Sequence, residues 1–212
     1  MLIQNLGNDA TQKLLYNAPK AYNVEAVDIL LTALYISLQE WTGNNVFKLY
    51  MGGHGRERIF PDADVSRTVG WFTSQYPFIL ATKISSSYQE IIDAIRQKRK
   101  EIPADGLGYG VFRYLQNGQV LQIGKEPEIC FNYLSEVYNN NTFDFNGMFE
   151  ISDNQGASAI SPRMERHFPL DIICGIREGS LRVDIHFCEC EFPKDMVSNS
   201  VSYTHLTLPT IA

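Results

Sequence analysis

The most constraining feature of this chain is an amphipathic helix that is followed at once by a β-strand. Apolar residues recur at three- and four-residue steps, which places them on one face of a helix. They are Val24, Val27, Leu30, Leu31, Leu34 and Leu38. Asn23 is the expected N-cap, and Gly43 is the expected end of the helix. The next run, Val46–Met51, predicts a strand that ends in a glycine cluster, which requires a tight turn or a close backbone approach.

Helices and strands continue to alternate along the chain. Ser87 is a typical N-cap for a helix that runs to Lys100, with Ile91, Ile92 and Ile95 on its buried face. The other expected elements are an extended segment over residues 69–82, a glycine-rich connection over 103–110, a buried strand over 128–134, and a hairpin whose strands 170–177 and 181–190 meet at Glu178-Gly179. Residues 1–21 are polar and are interpreted as an incomplete entry to the domain that ends at Pro19. This alternation predicts an α/β fold.

Composition and charge exclude several classes of partner. The 212 residues carry a net charge of −6, whereas nucleic acid and anionic membrane surfaces require clustered Lys and Arg. The one basic cluster, Arg96–Lys100, closes a predicted helix, where cations complement the helix dipole. No apolar run approaches the length of a membrane span. We therefore expect a cytoplasmic protein that binds neither nucleic acid nor membrane.

The four cysteines are expected to be reduced structural thiols. Cys188 and Cys190 lie in an alternating run, so a strand would point both side chains to one face. No C-x-x-C pair accompanies them, and no histidine stands at zinc-ligand spacing. The pattern predicts no metal site and is typical of a reducing compartment.

The end of the chain differs in character from the rest. Residues 201–210, V-S-Y-T-H-L-T-L-P-T, resemble the translation of a sequencing adapter at a transposon end. We therefore divide the chain into a native domain over residues 1–200 and a non-native tail over 201–212, which is excluded from fold reasoning. The alternative is an ordinary C-terminal tail.

Five segments carry a resemblance to a known family. They are Asp28–Leu34 (D-x-L-L-x-A), Gly53–Glu57 (the last five residues of E-G-H-G-R-E), Arg67–Pro77 (R-T-V-G-W-F-T-x-x-Y-P), Pro103–Gly110 (P-x-x-G-x-G-Y-G) and Phe131–Leu134 (F-N-Y-L). In order, spacing and residues they are similar to the motifs of epimerization domains, which belong to the condensation-domain superfamily of nonribosomal peptide synthetases. The resemblance covers about residues 15–195.

The resemblance implies both a fold and a reaction. The fold would be the C-terminal lobe of a chloramphenicol-acetyltransferase-like pair of α/β lobes, with a mixed sheet and flanking helices. The family interconverts L and D forms of an aminoacyl or peptidyl residue, held as a thioester on the phosphopantetheine arm of a carrier protein. No cofactor would bind to this lobe itself. The implied partners are a peptidyl carrier protein domain, the N-terminal lobe of the same domain and other synthetase modules.

The reaction dictates what its site contains. A thioester α-proton is weakly acidic, so a base must lie within hydrogen-bond reach of it, and the developing enolate needs hydrogen-bond donors. The resemblance makes His54, Asn132 and Tyr133 the catalytic candidates, because an amide and a phenol can donate to an enolate oxygen. It also assigns further residues to the substrate tunnel or to the motifs: Gly52, Gly53, Arg56, Glu57, Trp71 and Tyr109.

Several of these residues have a second, structural interpretation. Arg56 and Glu57 are expected to form an ion pair or to brace a loop. Trp71 and Phe72 are expected to pack in the core, since large aromatic residues dominate core burial. The glycines of residues 106–110 do not follow nucleotide-binding spacing and are interpreted as a tight connection.

Two elements of the family pattern are missing. The H-H-x-x-x-D-G segment, which carries the histidine usually assigned as acid or base, belongs to the N-terminal lobe and does not occur in these 212 residues. The first Glu of E-G-H-G-R-E is replaced by Gly52. Either the domain is weakened, or Tyr133 or water takes over the role, or the codon is in error. The fragment alone is therefore expected to be inactive.

Two other functions remain open at this stage. Condensation, which forms an amide bond between two carrier-bound substrates, uses the same scaffold. A degenerate lobe that serves only as a scaffold or a carrier-docking surface is consistent with Gly52.

Overall fold

A six-stranded mixed sheet forms the centre of the computed structural model. The model describes residues 1–57, 59, 61–62, 64–82, 86–115, 124–135, 161, 164–195 and 197. The strand order is β1-β6-β5-β4-β2-β3, with β2, β4 and β5 parallel and the remaining pairs antiparallel. The strands are β1 Leu2–Asn5, β2 Val46–Gly53, β3 Ser74–Ala81, β4 Ile129–Tyr133, β5 Leu170–Arg177 and β6 Ser180–Phe187. The α/β prediction is confirmed.

The helices lie between the strands in the chain. They are α1 Asn8–Gln12, α2 Ala18–Tyr22, α3 Ala26–Thr42, α4 Tyr88–Lys100 and α5 Gly108–Tyr114. A π-helical turn, Lys13–Asn17, joins α1 to α2, and a short turn, Pro103–Gly106, precedes α5. Residues 1–21, which the sequence described only as a polar entry to the domain, hold β1, α1 and most of α2, and their Leu6, Leu14 and Leu15 are buried in the core. Polar residues surround these leucines in the sequence, so no apolar helix face could be recognised there.

The central helix α3 begins two residues later than the sequence predicts. Its N-cap is Glu25, whose side chain and that of Asp28 form a reciprocal capping box. Asn23 is instead left-handed, with φ 54°, and ends α2. Gly43 ends α3 as expected, because glycine adopts a left-handed φ of 71° without the conformational energy that other residues would require. Ser87 caps α4 as predicted and accepts a hydrogen bond from Glu90 N–H.

The sheet has two unlike faces. Alternate residues of a strand point to opposite sides, and one set, including Leu49, Met51 and Phe131, belongs to the main core. The other set includes Tyr50, Gly52, Cys130 and Asn132, none of which belongs to that core. The polar side chains of β2 and β4 therefore share the face that lies away from the core.

A buried ion pair joins α3 to α4. Asp28 is 1% exposed, and Arg99 Nε donates to its Oδ1 at 2.8 Å. Arg99 also contacts Glu25 Oε2, at 2.7 Å from Nη2. Burial is the largest single influence and lowers the pKa of Arg99, but the hydrogen bonds and charges of Asp28 and Glu25 together outweigh it, and the pKa lies above its usual value. The Asp of the D-x-L-L-x-A segment is thus structural in this fold.

The hairpin of β5 and β6 turns at Glu178-Gly179 as predicted, but its second strand ends at Phe187 rather than at residue 190. The chain turns at Cys188, whose carbonyl accepts hydrogen bonds from the N–H groups of Glu191 and Phe192. This turn brings the Cα atoms of Cys188 and Cys190 to 5.3 Å, and the two residues form a disulfide. The prediction of reduced thiols is wrong for this pair, whereas Cys130 and Cys174 are free.

Four further expectations concern the connection over residues 103–110, the tail, membrane-spanning helices and metal sites. The connection over residues 103–110 is partly helical, since α5 begins at Gly108. The proposed tail, 201–212, lies outside the described residues. Across the described residues, no single helix is long and apolar enough to span a bilayer, and one pair, Asn8–Tyr22 with Ala26–Thr42, passes only jointly and across a 105° bend. Within the same residues, no cluster of three or more His, Cys, Asp or Glu side chains could hold a metal ion.

Candidate functional site

The carboxyl ends of two parallel strands form a crevice. Strand β2 ends at Gly53 and β4 ends at Tyr133, with Met51 opposite Phe131 in the register. Ligands of open α/β sheets bind in the crevice beyond the carboxyl ends of the strands. The fold therefore places the glycine cluster beside the F-N-Y-L segment, at the position where such a sheet binds a ligand.

Gly52 lies directly against Asn132. A Cβ atom on Gly52 would lie 3.1 Å from Asn132 Oδ1, so the neighbour would have to shift by a few tenths of an ångström. No left-handed φ is present at Gly52. A larger side chain at this position is thus compatible with the backbone and would share its space with the Asn132 amide.

Gly55 makes the closest backbone approach in the crevice. Its φ is +68°, and a Cβ atom would lie 1.6 Å from the carbonyl oxygen of Phe72. Only glycine fits, both because of the left-handed backbone and because backbone atoms occupy the space. The glycine cluster thus holds the segment that follows Gly70 against the end of β2.

We expect Gly55→Ala to lower the free energy of unfolding by about 3 kcal/mol, since it combines a left-handed backbone with overpacking against backbone atoms. Urea unfolding measures the change. Gly110→Ala is the matched control, because no atom lies within 4 Å of a Cβ there and alanine favours a helix by up to about 1 kcal/mol. Equal stability of the two variants would contradict the close approach.

Arg56 braces the loop that carries Trp71. Its Nη1 donates to Val65 O at 2.5 Å, and Nη2 donates to Thr68 O at 3.0 Å. The guanidinium carbon also lies 4.1 Å from the centre of the Phe72 ring. These contacts match the loop-bracing interpretation, while no ion pair between Arg56 and Glu57 occurs among the described contacts.

His54 and Glu57 lie side by side. His54 Nδ1 accepts a hydrogen bond from Arg56 N–H at 3.0 Å, which assigns the proton of the neutral ring to Nε2. Glu57 Oε1 lies 3.5 Å from the same Nδ1. The Glu57 side chain is 11% exposed, and neither of its oxygens, nor Ser74 Oγ, has a hydrogen-bond partner. A buried carboxylate without a donor is an unusual feature in a folded protein.

Eight of the nine predicted site residues border a single groove of about 640 Å³: Gly52, Gly53, His54, Arg56, Glu57, Trp71, Asn132 and Tyr133. The groove also contacts Tyr76, the tyrosine of the R-T-V-G-W-F-T-x-x-Y-P segment, and Asp105 and Ser135, which the sequence did not indicate. Asp105 and Ser135 carried little signal, since Asp105 is a variable position within the P-x-x-G-x-G-Y-G segment and Ser135 follows the F-N-Y-L segment. The groove offers an amide, a phenol and an imidazole to whatever occupies it.

The ninth residue, Tyr109, lies in a second groove of about 820 Å³, which shares Trp71, Phe72 and Thr73 with the first. Arg113 Nη1 donates to Tyr109 Oη at 2.6 Å and to Tyr50 Oη at 2.8 Å. Tyr50 Oη donates to Glu126 Oε2 at 2.6 Å.

Burial, with the hydrogen bond to Glu126, raises the pKa of Tyr50, and the hydrogen bond from Arg113 lowers the pKa of Glu126. The spacing of Tyr109 and Arg113 on one helix face could have indicated this network.

Cys130 is a poor nucleophile, although it lies on the same sheet face as Asn132. Burial raises the pKa of its thiol to about 12, and nearby Asp171 contributes to the increase. The pKa of Asp171 is itself raised by burial. A thiol that stays protonated at neutral pH does not carry covalent chemistry.

Trp71 does not pack in the core. Its side chain is 91% exposed, so the packing interpretation is wrong for this residue, whereas Phe72 packs under Arg56. The reason is local: Arg56 and Gly55 fix the backbone of residues 65–72 at the end of the sheet, outside the helical layer.

Comparison with known proteins identifies the family to which this chain belongs. A family model described as Condensation domain matches residues 3–212. Gramicidin S synthase 1 of Brevibacillus brevis is 35% identical over 215 residues, which is 96% of this chain and 19% of that protein. Bacitracin synthase 2 of Bacillus licheniformis is 34% identical over 194 residues, which is 92% of this chain and 7% of that protein. The chain thus spans a small part of each synthase.

A solved structure defines the fold further. The epimerization domain from the third module of tyrocidine synthetase B superimposes with a TM-score of 0.89 at 32% identity, over 99% of this chain and 47% of that one. The first condensation domain of the CDA synthetase superimposes less closely, with a TM-score of 0.66 at 15% identity, over 100% of this chain and 45% of that one. The chain spans about half the length of each.

Proposed function

This chain belongs to the condensation-domain family of nonribosomal peptide synthetases, and we propose that it forms the C-terminal half of an epimerization domain. The domain would span residues 1–200. It would interconvert the L and D forms of an aminoacyl or peptidyl residue held as a thioester on the phosphopantetheine arm of a carrier protein. Its partners would be that carrier protein, the N-terminal half of the domain and other synthetase modules in the cytoplasm.

The observation that carries the proposal is the difference between the two structural matches. The TM-score is 0.89 against an epimerization domain and 0.66 against a condensation domain, with identities of 32% and 15%. Both domains share the scaffold, so fold alone would not separate them. The much closer match in backbone and sequence favours epimerization over amide-bond formation.

The groove supports the same chemistry. Loss of an α-proton from a thioester places negative charge on the thioester oxygen, and hydrogen-bond donors aimed at that oxygen lower the barrier. Asn132 offers an amide N–H₂ on the sheet face of Gly52, whereas Tyr133, the next residue of β4, borders the same groove but packs against the main core. His54 offers Nε2–H, because Arg56 N–H occupies its Nδ1. We assign Asn132 to enolate stabilisation, Tyr133 to the wall of the groove and His54 to the substrate channel.

The acid/base pair is incomplete within this chain. Gly52 stands where the family motif carries a glutamate, and glycine has no proton to exchange. The other acid/base group would come from the N-terminal half of the domain. A groove completed by that half would also exclude water, which strengthens the electrostatic effects on which the reaction depends.

A two-carrier assay tests the proposal against condensation. The complete domain receives one carrier protein loaded with an L-aminoacyl thioester and a second loaded carrier as a potential acceptor. We expect some of the aminoacyl group to be recovered as the D isomer by chiral chromatography. An amide product joining the two substrates would assign condensation instead. Neither product from a folded domain would favour the scaffold or docking alternative.

A further inference from the structure

The groove that contains Tyr109 adjoins the candidate site and has no part in the chemistry derived so far. Its volume of about 820 Å³ lies in the range of sites that hold drug-sized ligands, which are larger than one amino-acid side chain. Trp71, Phe72 and Thr73 border both this second groove and the groove of the candidate site. A group bound in the candidate site can therefore extend directly into the second groove.

The second groove has aromatic and aliphatic walls. Trp71 and Tyr114, which border it, are 91% and 73% exposed, and Phe168 borders it as well. Val111 and Leu115 of the α5 region add exposed aliphatic surface. Surface of this kind favours a ligand with apolar side chains, because covering it removes apolar area from water.

The charged groups of the second groove are already paired. Arg113 donates to both carboxylate oxygens of Glu126 and to the hydroxyls of Tyr50 and Tyr109. Among the described residues that border the groove, Arg113 is the only Lys or Arg side chain. An anionic ligand therefore meets no unpaired cation there, and the polar network disfavours a pure hydrocarbon chain, which would bury it without new hydrogen bonds.

The edge strand β3 adds backbone groups to the second groove. Thr73, Ser74 and Gln75 border it, and among the described strands β3 pairs only with β2. The outer edge of such a strand offers N–H and C=O groups to an extended chain. A peptide matches both features of the groove, because its backbone carries donors and acceptors while its side chains cover apolar walls.

We propose that the second groove binds the upstream residues of a peptidyl thioester, so that a peptidyl group is preferred over an aminoacyl group. The last residue of the peptide lies at Asn132, and the preceding residues run past Trp71 toward Val111. The inference rests on the proposed function for the thioester, and it chooses between the two substrate classes of that function. Backbone contacts at β3 do not depend on side chains, so they admit more than one peptide sequence.

Three loaded carrier proteins separate the length of the bound chain from its charge. Each carries its group through an amide in place of the thioester, and the groups are L-alanyl, N-acetyl-L-alanyl and N-acetyl-L-leucyl-L-leucyl-L-alanyl. Binding to the complete domain is measured by isothermal titration calorimetry. We expect the tripeptidyl carrier to bind at least about tenfold more tightly than the N-acetylalanyl carrier, since burial of one leucine side chain supports a factor of that size.

Two glutamate substitutions on α5 locate the contact. Val111 borders the second groove, whereas Phe112, its neighbour, borders neither of the two grooves. The two side chains are 53% and 52% exposed, so neither substitution is expected to unfold the domain. Val111→Glu places a charge against the apolar chain and is expected to weaken binding of the tripeptidyl carrier by at least about tenfold. Phe112→Glu, the matched control, is expected to change it by less than about twofold.

Several results would overturn the peptidyl subsite. They are equal affinities of the tripeptidyl and N-acetylalanyl carriers, equal effects of the two substitutions, tightest binding of the L-alanyl carrier, and absence of binding by all three. The proposed function is judged separately, by the D isomer formed from the corresponding thioesters. Peptide selectivity without D isomer contradicts only the function, whereas D isomer without peptide selectivity contradicts only the subsite.

Discussion

Glutamate in place of Gly52 is expected to raise the rate of epimerization by the complete domain by about 10²- to 10⁴-fold, the range of one positioned general acid or base. The carboxylate would project from the sheet face that carries Asn132, since a Cβ at Gly52 lies 3.1 Å from Asn132 Oδ1. The backbone permits the substitution because no left-handed φ is present at Gly52. Chiral analysis of the carrier-bound residue over time gives the rate.

The control for this prediction is Gly52→Gln, which has almost the same size and hydrogen-bonding capacity but exchanges no proton. We expect the glutamine variant to stay near the original rate. Equal rates in the glutamate and glutamine variants would show that space or polarity at residue 52, rather than acid/base chemistry, limits the reaction.

Arg99→Met is expected to lower the free energy of unfolding by about 3–5 kcal/mol, the cost of leaving one partner of a buried ion pair without the other. Asp28 is 1% exposed, and Arg99 Nε is its cationic contact, at 2.8 Å. Methionine keeps the apolar stem of the side chain, so the loss reports mainly on the charge. Urea unfolding of the chain measures the change.

Lys98→Met is the matched control, since Lys98 is exposed on the same helix. Surface substitutions of this kind usually change stability by no more than about 0.5 kcal/mol. A loss at Arg99 no larger than that at Lys98 would mean that Asp28 finds other compensation, and that the junction of α3 and α4 depends on packing alone.

Local sequence patterns predicted the helices and strands whose apolar residues recur at a regular spacing. The α3 and α4 faces, the β4 strand and the β5–β6 hairpin follow from apolar spacing and from Ser87, Gly43 and Glu178-Gly179. The N-cap of α3 was misplaced because Asn23 suits both an N-cap and a left-handed helix end, and only the Asp28 partner of Glu25 decides between them.

Turns and side-chain contacts that hydrophobic periodicity does not encode account for what the sequence did not reveal. The disulfide of Cys188 and Cys190 depends on a turn that ends β6, and the exposure of Trp71 depends on Arg56 and Gly55, which hold its loop outside the core. The motif residues predicted which side chains meet in the groove. Tyr109 lay in the neighbouring groove because α5, unrecognised in the sequence, turns it toward Arg113 and Tyr50.

Solvent deuterium at the α-carbon tests the central claim most directly. The complete domain, with Gly52 or with glutamate at that position, is given an aminoacyl carrier protein in deuterated water, and the mass of the released amino acid is measured by mass spectrometry. We predict one deuterium at the α-carbon, incorporated slowly with Gly52 and faster with glutamate. No deuterium with either residue, in a domain that unfolds cooperatively and still binds its carrier, would contradict the assignment of this chain to an epimerization domain.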